Sequence, residues 1–256
     1  MYDGPIDKGE SLEILFQDEH YIAINKPSGL LVHRSNIAAQ EEIFALQMLR
    51  DMLNRLVYPV HRIDKPTSGI LLFATTPDAM IQLKRKFESC EIGKTYLAIV
   101  RGFAPMEGII EHPLRILNDF KGPNKKEDSQ EAETHFKTLD RSELPQPTER
   151  YPTSRFSLVQ LHPKTGRRHQ LRRHMVHINS PIVGDTRHGD NKLNKRFRNT
   201  YGFIRLMLHA SQIEFEHPFS KERIHIKSKL EGEMKAALEH LQLNNEPIHN
   251  NDRTRR

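Results

Sequence analysis

The run Ile70-Leu71-Leu72-Phe73-Ala74, entered directly from Pro66-Thr67-Ser68-Gly69, constrains the fold more than any other stretch. Consecutive apolar residues bounded by turn formers read as a buried strand, so the chain must build a sheet around it. Further runs rich in strand formers lie at 12–16, 21–25, 95–100, 134–139, 155–161, 206–215 and 224–226. The first two flank a polar turn, as a hairpin or neighbouring strands would. Helical signals are fewer. Phe44, Leu46, Leu49, Met52, Leu53 and Leu56 recur at helical spacing across 42–56. Thr76-Pro77-Asp78 offers a cap and a first-turn proline for a helix through Phe87 that Gly93 should stop, and Leu230, Met234, Leu238 and Leu241 mark a last helix. Strands outnumber helices and many connect through short turns. The expected class is therefore α+β, a mixed, mostly antiparallel sheet flanked by helices.

A length of 256 residues suits one large domain or two small ones, and no composition break forces a second. We expect one domain over 11–242, a flexible stretch at 1–10 and a disordered tail at 243–256. The segments 121–133 and 142–152 read as polar loops, and 184–202 as a long basic loop. The single cysteine, Cys90, excludes an internal disulfide framework, fits a reducing compartment, and is expected at a helix end as a small buried hydrophobe. No apolar run approaches bilayer-spanning length and no signal-peptide pattern opens the chain, so the expected location is the cytoplasm. Lys plus Arg less Asp plus Glu is 39 − 33 = +6, an excess whose placement matters more than its size.

Three constellations carry chemistry. In His61-Arg62-Ile63-Asp64-Lys65-Pro66, a carboxylate stands between two cations on a loop at the mouth of the sheet. Neighbouring positive charge favours a carboxylate anion, as a nucleophile or base requires. An isolated Arg-x-Asp is more often a surface ion pair, but here many further fixed positions accompany it. The stretch from Lys164 to His174 holds five cations, two histidines and no acid. On a helix starting near Gly166, residues 168, 172 and 175 would share one face and 167, 171 and 174 another. Charge alone reads as a solvated face, yet dense arginine beside a glycine break also suits phosphate contact. In Lys94-Thr95-Tyr96-Leu97-Ala98, a tyrosine opens a strand, where such a residue is by default half-buried packing. Gly93-Lys94-Thr95 is no P-loop, because Glu88 stands where that motif needs glycine. His169, His174 and His177 have no accompanying carboxylate or cysteine, so no metal site is assigned.

The string His61-Arg62-Ile63-Asp64-x-x-Thr67-Ser68-Gly69 resembles the His-Arg-Leu-Asp-x-x-Thr-Ser-Gly signature of the RluA family of pseudouridine synthases. Asn25-Lys26-Pro27-Ser28-Gly29, Lys94-x-Tyr96-x-Ala98 and Thr165-Gly166-Arg167-x-His169-Gln170-Leu171-Arg172 resemble its other segments, and the likeness runs from about 12 to about 230. Ile63 replaces the commoner Leu, a change between apolar residues of similar volume. The resemblance implies the pseudouridine synthase fold with a central RNA-binding cleft. Within it Asp64 would be catalytic, Arg172 would pair with Asp64, and Tyr96 would stack on the target uracil and could accept a proton. Leu208 would lie across the pocket, and Arg62 would fill the space left by a flipped base. Arg167, Arg168, Arg173, Lys192, Lys195, Arg196 and Arg198 would neutralise phosphates. No cofactor, nucleotide or metal is implied, and a monomer is expected.

Val32-His33-Arg34-Ser35, the doubled arginines, and Gly184-Asp185-x-x-His188-Gly189-Asp190 with Asn194 resemble a tRNA-acting branch of the family. tRNA is then the implied partner, with position 65 of the T-arm the implied target. The alternatives are another tRNA or rRNA site, or a non-catalytic basic RNA-binding or chaperone-like protein. A pure binder has no need of Asp64, whose charge would weaken phosphate binding in a cationic groove.

Overall fold

The structure is a computed structural model, and it describes residues 11–33, 43–117, 128–147 and 151–245. The expected flexible start, most of the 121–133 loop, Arg34, Ser35 and the tail beyond residue 245 lie outside them.

Strands β1 (Glu13–Gln17) and β2 (Tyr21–Lys26) form an antiparallel hairpin. Its turn is held by Asp18, whose Oδ1 accepts from the backbone N–H groups of His20 and Tyr21. Helix α1 (Ala45–Leu53) is shorter than its apolar pattern suggested, because Asn54 turns left-handed at φ 49° and ends it. Strand β3 (Tyr58–Pro59) leads to β4 (Ser68–Ala74), in which every residue is buried. Helix α2 (Pro77–Glu88) begins as expected, with Thr76 Oγ1 accepting from Ala79 N. Its end differs. Cys90 takes φ 60° and is exposed rather than buried, and Gly93 opens the next strand instead of stopping the helix. A side chain at Gly93 would collide with Glu214, so glycine is there for strand packing.

The chain continues through β5 (Gly93–Arg101), β6 (Glu107–Glu111), β7 (Leu114–Arg115), β8 (Ser129–Gln130), β9 (Glu133–Leu144) and β10 (Ser154–Pro163). Strand β9 runs five residues past the expected Leu139, since Leu144 still pairs with Ser154 of β10. Helices α3 (Gln170–His177) and α4 (Asn191–Tyr201), strands β11 (Leu208–Glu216) and β12 (Arg223–Lys227), and helix α5 (Gly232–His240) complete the chain. Helix α4 replaces the long basic loop expected over 184–202. Asp190 caps it through the N–H groups of Lys192 and Leu193, Phe197 buries against Phe156 and Phe203, and Gly202 ends it at φ 76°.

One sheet carries the fold, in the order β1-β2-β4-β11-β5-β10-β9-β6, with β3 on β4 and β12 on β11. Its pairings are antiparallel except β4 with β11, which run parallel and join the two halves. At this seam the signature glycine explains itself. Gly69 has φ 103°, and a Cβ there would lie 2.2 Å from the Ala210 carbonyl oxygen, so only glycine lets the strands close. Along β4, Ile70, Leu72 and Ala74 face α2 while Leu71 and Phe73 face α1, the alternation of a strand covered on both sides. Each such Leu or Phe contributes on the order of 2 kcal/mol by leaving water. Packing continues through Leu243, and Asn244 N donates to Asp140.

Candidate active site

The loop between β3 and β4 that carries Asp64 is tied down at several points. Thr67 N donates to the Asp64 carbonyl at 3.0 Å, closing a turn. His61 stacks on Phe87 at 4.8 Å, and its Nε2 accepts from Leu72 N at 3.0 Å. Burial lowers the His61 pKa to about 3, which keeps that nitrogen free to accept. Beneath the loop, the Asn-Lys-Pro-Ser-Gly segment acts as its footing. Lys65 O accepts from Gly29 N and Lys26 Nζ, and Pro66 O accepts from Ser28 Oγ. Lys26 is fully buried, with its three donors spent on the Pro27, Leu30 and Lys65 carbonyls, and burial depresses its pKa.

Above the loop lies a cleft of about 490 Å³, lined by Asp64, Tyr96, His169, Arg172 and Leu208, with Arg62, Lys94 and Arg167 also contributing. The pairing expected across 108 residues is present: Arg172 Nη1 donates to Asp64 Oδ2 at 3.1 Å. Arg172 is buried and forked onto Asp185, with Nε on Oδ2 at 2.9 Å and Nη2 on Oδ1 at 2.8 Å. Burial disfavours both charges, but their mutual contact outweighs it, holding Asp185 below and Arg172 above their ordinary pKa values. His169 Nε2 stands 4.0 Å from Asp64 Oδ2. That is no ion pair, because burial lowers the imidazole pKa to about 4 and leaves it neutral. Its Nδ1 meets His188 Nε2 at 2.7 Å. Burial, and then the charge of Asp64, push the Tyr96 phenol above its usual range, so it stays protonated.

The cationic stretch before α3 is organised by Gln170. Its Oε1 accepts from Thr165 Oγ1 and Arg167 N, and its Nε2 donates to Glu133 O and Thr134 Oγ1. The helix starts at Gln170 rather than near Gly166, so residues 167 and 168 belong to no helical face. Of the expected phosphate contacts, Arg167 reaches the cleft, as does Arg62, expected to fill the space of the flipped base, and both are exposed. Arg168 and Arg173 instead donate to the carbonyls of Leu117 and Arg115, tying α3 and the turn before it to the antiparallel β7–β8 pair. Lys192, Lys195, Arg196 and Arg198 stand exposed on α4, outside the cleft lining. Residue-by-residue reading gave no role to Asp185, His188 or Lys94. The first two were visible in the Gly184-Asp185-x-x-His188 string, but nothing in one dimension shows that Asp185 meets Arg172. Lys94 lines the cleft half-buried, with its pKa lowered by burial.

A family model described as RNA pseudouridylate synthase matches residues 20–177. The tRNA pseudouridine synthase C of Vibrio parahaemolyticus is 46% identical over 223 residues, covering 86% of this chain and 91% of that protein. Its counterpart in Haemophilus ducreyi is 46% identical over 225 residues, with the same coverage of 86% and 91%. Among solved structures, human RNA Pseudouridylate Synthase Domain Containing 4 superposes with a TM-score of 0.69 at 28% identity, covering 91% of this chain and 94% of that one.

Proposed function

The chain belongs to the RNA pseudouridylate synthase family, and from that premise we propose that it converts a uridine of tRNA to pseudouridine with Asp64 as its nucleophile. The observation that carries this reading is the Asp64–Arg172 contact inside a cleft that also presents Tyr96 and Leu208. The reaction breaks the N1–C1′ bond, turns the uracil in place and rejoins it through C5. The C5 proton leaves and N1 gains one, so composition and redox state are unchanged and no cofactor is called for.

The geometry distributes the work. Asp64 attacks or deprotonates the substrate nucleoside, and Arg172 aligns its carboxylate. Tyr96 and Leu208 hold the uracil between an aromatic and an aliphatic face, which gives position without base-sequence choice. A uridine in a stem must first be flipped out, at a cost of roughly a few kcal/mol. Arg62, exposed at the cleft rim beside Asp64, suits the vacated space. The likeness to the tRNA-acting branch makes position 65 of the T-arm the proposed target, in a cytoplasmic, monomeric enzyme.

Asp64→Asn should abolish release of the uridine C5 hydrogen from tRNA while changing tRNA affinity by only a small factor. A variant that turned over normally would remove Asp64 from the chemistry and favour a pure RNA binder. Mapping pseudouridine in tRNA and rRNA from cells lacking the protein then checks the target: loss at tRNA position 65 is expected, and loss elsewhere alone would reassign it.

A further inference from the structure

We propose that a second, smaller pocket beside α4 holds one phosphate of the bound RNA backbone, gripped by Arg101 and Arg196. The inference deepens the reading of a tRNA substrate and rests on it for the source of that phosphate. The pocket lies between α4, the end of β9 and the start of β10. Phe156, Val183 and Phe197 form its buried floor, while Pro147, Arg196 and Thr200 stand exposed at its mouth. Its volume is about 50 Å³, against about 490 Å³ for the Asp64 cleft. One water needs roughly 10–15 Å³, so this space admits a compact tetrahedral anion and excludes a nucleobase.

The charge inside it is unbalanced. Two arginines line the pocket and no acid does. Arg101 closes β5, where its backbone N–H donates to Pro181 O, but among the described residues its guanidinium meets no acceptor. The side chain is half-buried, and burial lowers its pKa, so a cation is held there without the partner that usually offsets desolvation. The acid that acts on it is Asp190, whose Oδ1 is committed to the N–H groups of Lys192 and Leu193. By contrast, Arg172 has two carboxylates and Lys26 three carbonyls. A guanidinium left open in a pocket, with a second at the mouth, presents the fork of donors that receives an oxyanion. The walls are fixed in advance. The Tyr201 hydroxyl donates to Gln146 Oε1, and Ser154 Oγ donates to the Gln146 carbonyl at 2.8 Å, which ties the end of β9 to both α4 and β10. Tyr96 precedes Arg101 by five residues on β5, about 17 Å along the strand, so the phosphate belongs to the same RNA arm as the target uridine without being its own.

Arg101→Ala should weaken tRNA binding roughly tenfold at low salt and lower the slope of log affinity against log salt by about 0.7 to 0.9, the share of one phosphate contact. Its melting temperature should hold, because no hydrogen bond of the folded chain is lost. Arg101→Lys keeps the charge without the fork, so the slope should stay while affinity still falls. An unchanged slope in Arg101→Ala overturns the proposal, as does wild-type affinity in Arg101→Lys. If Arg101→Ala fails to fold, Arg196→Ala at its exposed position decides by the same slope. Inorganic phosphate separates the two sources of the anion. If it raises the melting temperature of the wild type while Arg101→Ala binds tRNA as the wild type does, the pocket takes free phosphate and the RNA assignment is overturned. The isomerase reading fails separately: tRNA bound with the expected difference in slope, but carrying no pseudouridine after incubation with the wild type, refutes the chemistry and supports the phosphate grip.

Discussion

At the scale of single residues, the protonation state of buried histidines is part of how the site holds its shape. His61 accepts from Leu72 N through Nε2, and a proton there would break the bond that fixes the Asp64 loop to β4. Burial lowers the pKa of His61 to about 3 and those of His169 and His209 to about 4. In the unfolded chain each returns to about 6.5. Between those values the unfolded state binds protons that the folded state does not, so stability is full above about pH 6.5 and declines as pH falls toward 4. The melting temperature should therefore drop steadily from pH 7.5 to pH 5. His61→Gln, whose amide oxygen can accept from Leu72 N without titrating, should show a shallower decline. A wild-type melting temperature as high at pH 5 as at pH 7.5 would contradict the lowered values. The sequence showed Asp64, Tyr96 and Arg172 because each sits in a dense string of fixed positions. It hid Asp185, whose partner Arg172 lies on another element and whose burial no local pattern announces.

Among the elements, those with a strong local code were legible and those fixed from outside were not. Strand β4 was plain from its unbroken apolar run, and the start of α2 from Thr76-Pro77. The end of α1 was misplaced because a non-glycine residue, Asn54, takes the left-handed conformation, a choice that follows from packing. Helix α4 was missed outright. Its apolar residues are the sparse set Leu193, Phe197 and Tyr201 among cations, a pattern that becomes a helix only when Phe156 and Phe203 receive the aromatic face. With so little burial of its own, α4 should lean on its cap. Asp190→Ala removes the acceptor of two backbone N–H groups and should cost about 1 kcal/mol in urea unfolding. A loss indistinguishable from zero would mean that tertiary packing alone fixes the helix start.

For the whole molecule, the question is how a net charge of only +6 recruits a polyanion. The answer lies in placement. Helix α4 carries Lys192, Lys195, Arg196 and Arg198 with no acid between Asn191 and Tyr201, so most of the excess is gathered on one exposed helix. Its inner face reaches the site through Asn194 and Asp185, while its outer face offers cations outside the Asp64 cleft. We propose that a tRNA whose base enters the cleft lays flanking backbone over α4, with Arg62 and Arg167 at the cleft. The charge count at sequence level saw the cations but placed them on a loop, where they would track no fixed path. On a helix they are held at set spacing. Each phosphate contact contributes about 0.7 to 0.9 to the slope of log affinity against log salt. Replacing Lys192 and Lys195 together with alanine should lower that slope by about 1 to 2 and weaken tRNA binding at low salt far more than at high salt. An unchanged slope would show that the RNA avoids α4, leaving Arg62 and Arg167 as the cations that meet the backbone.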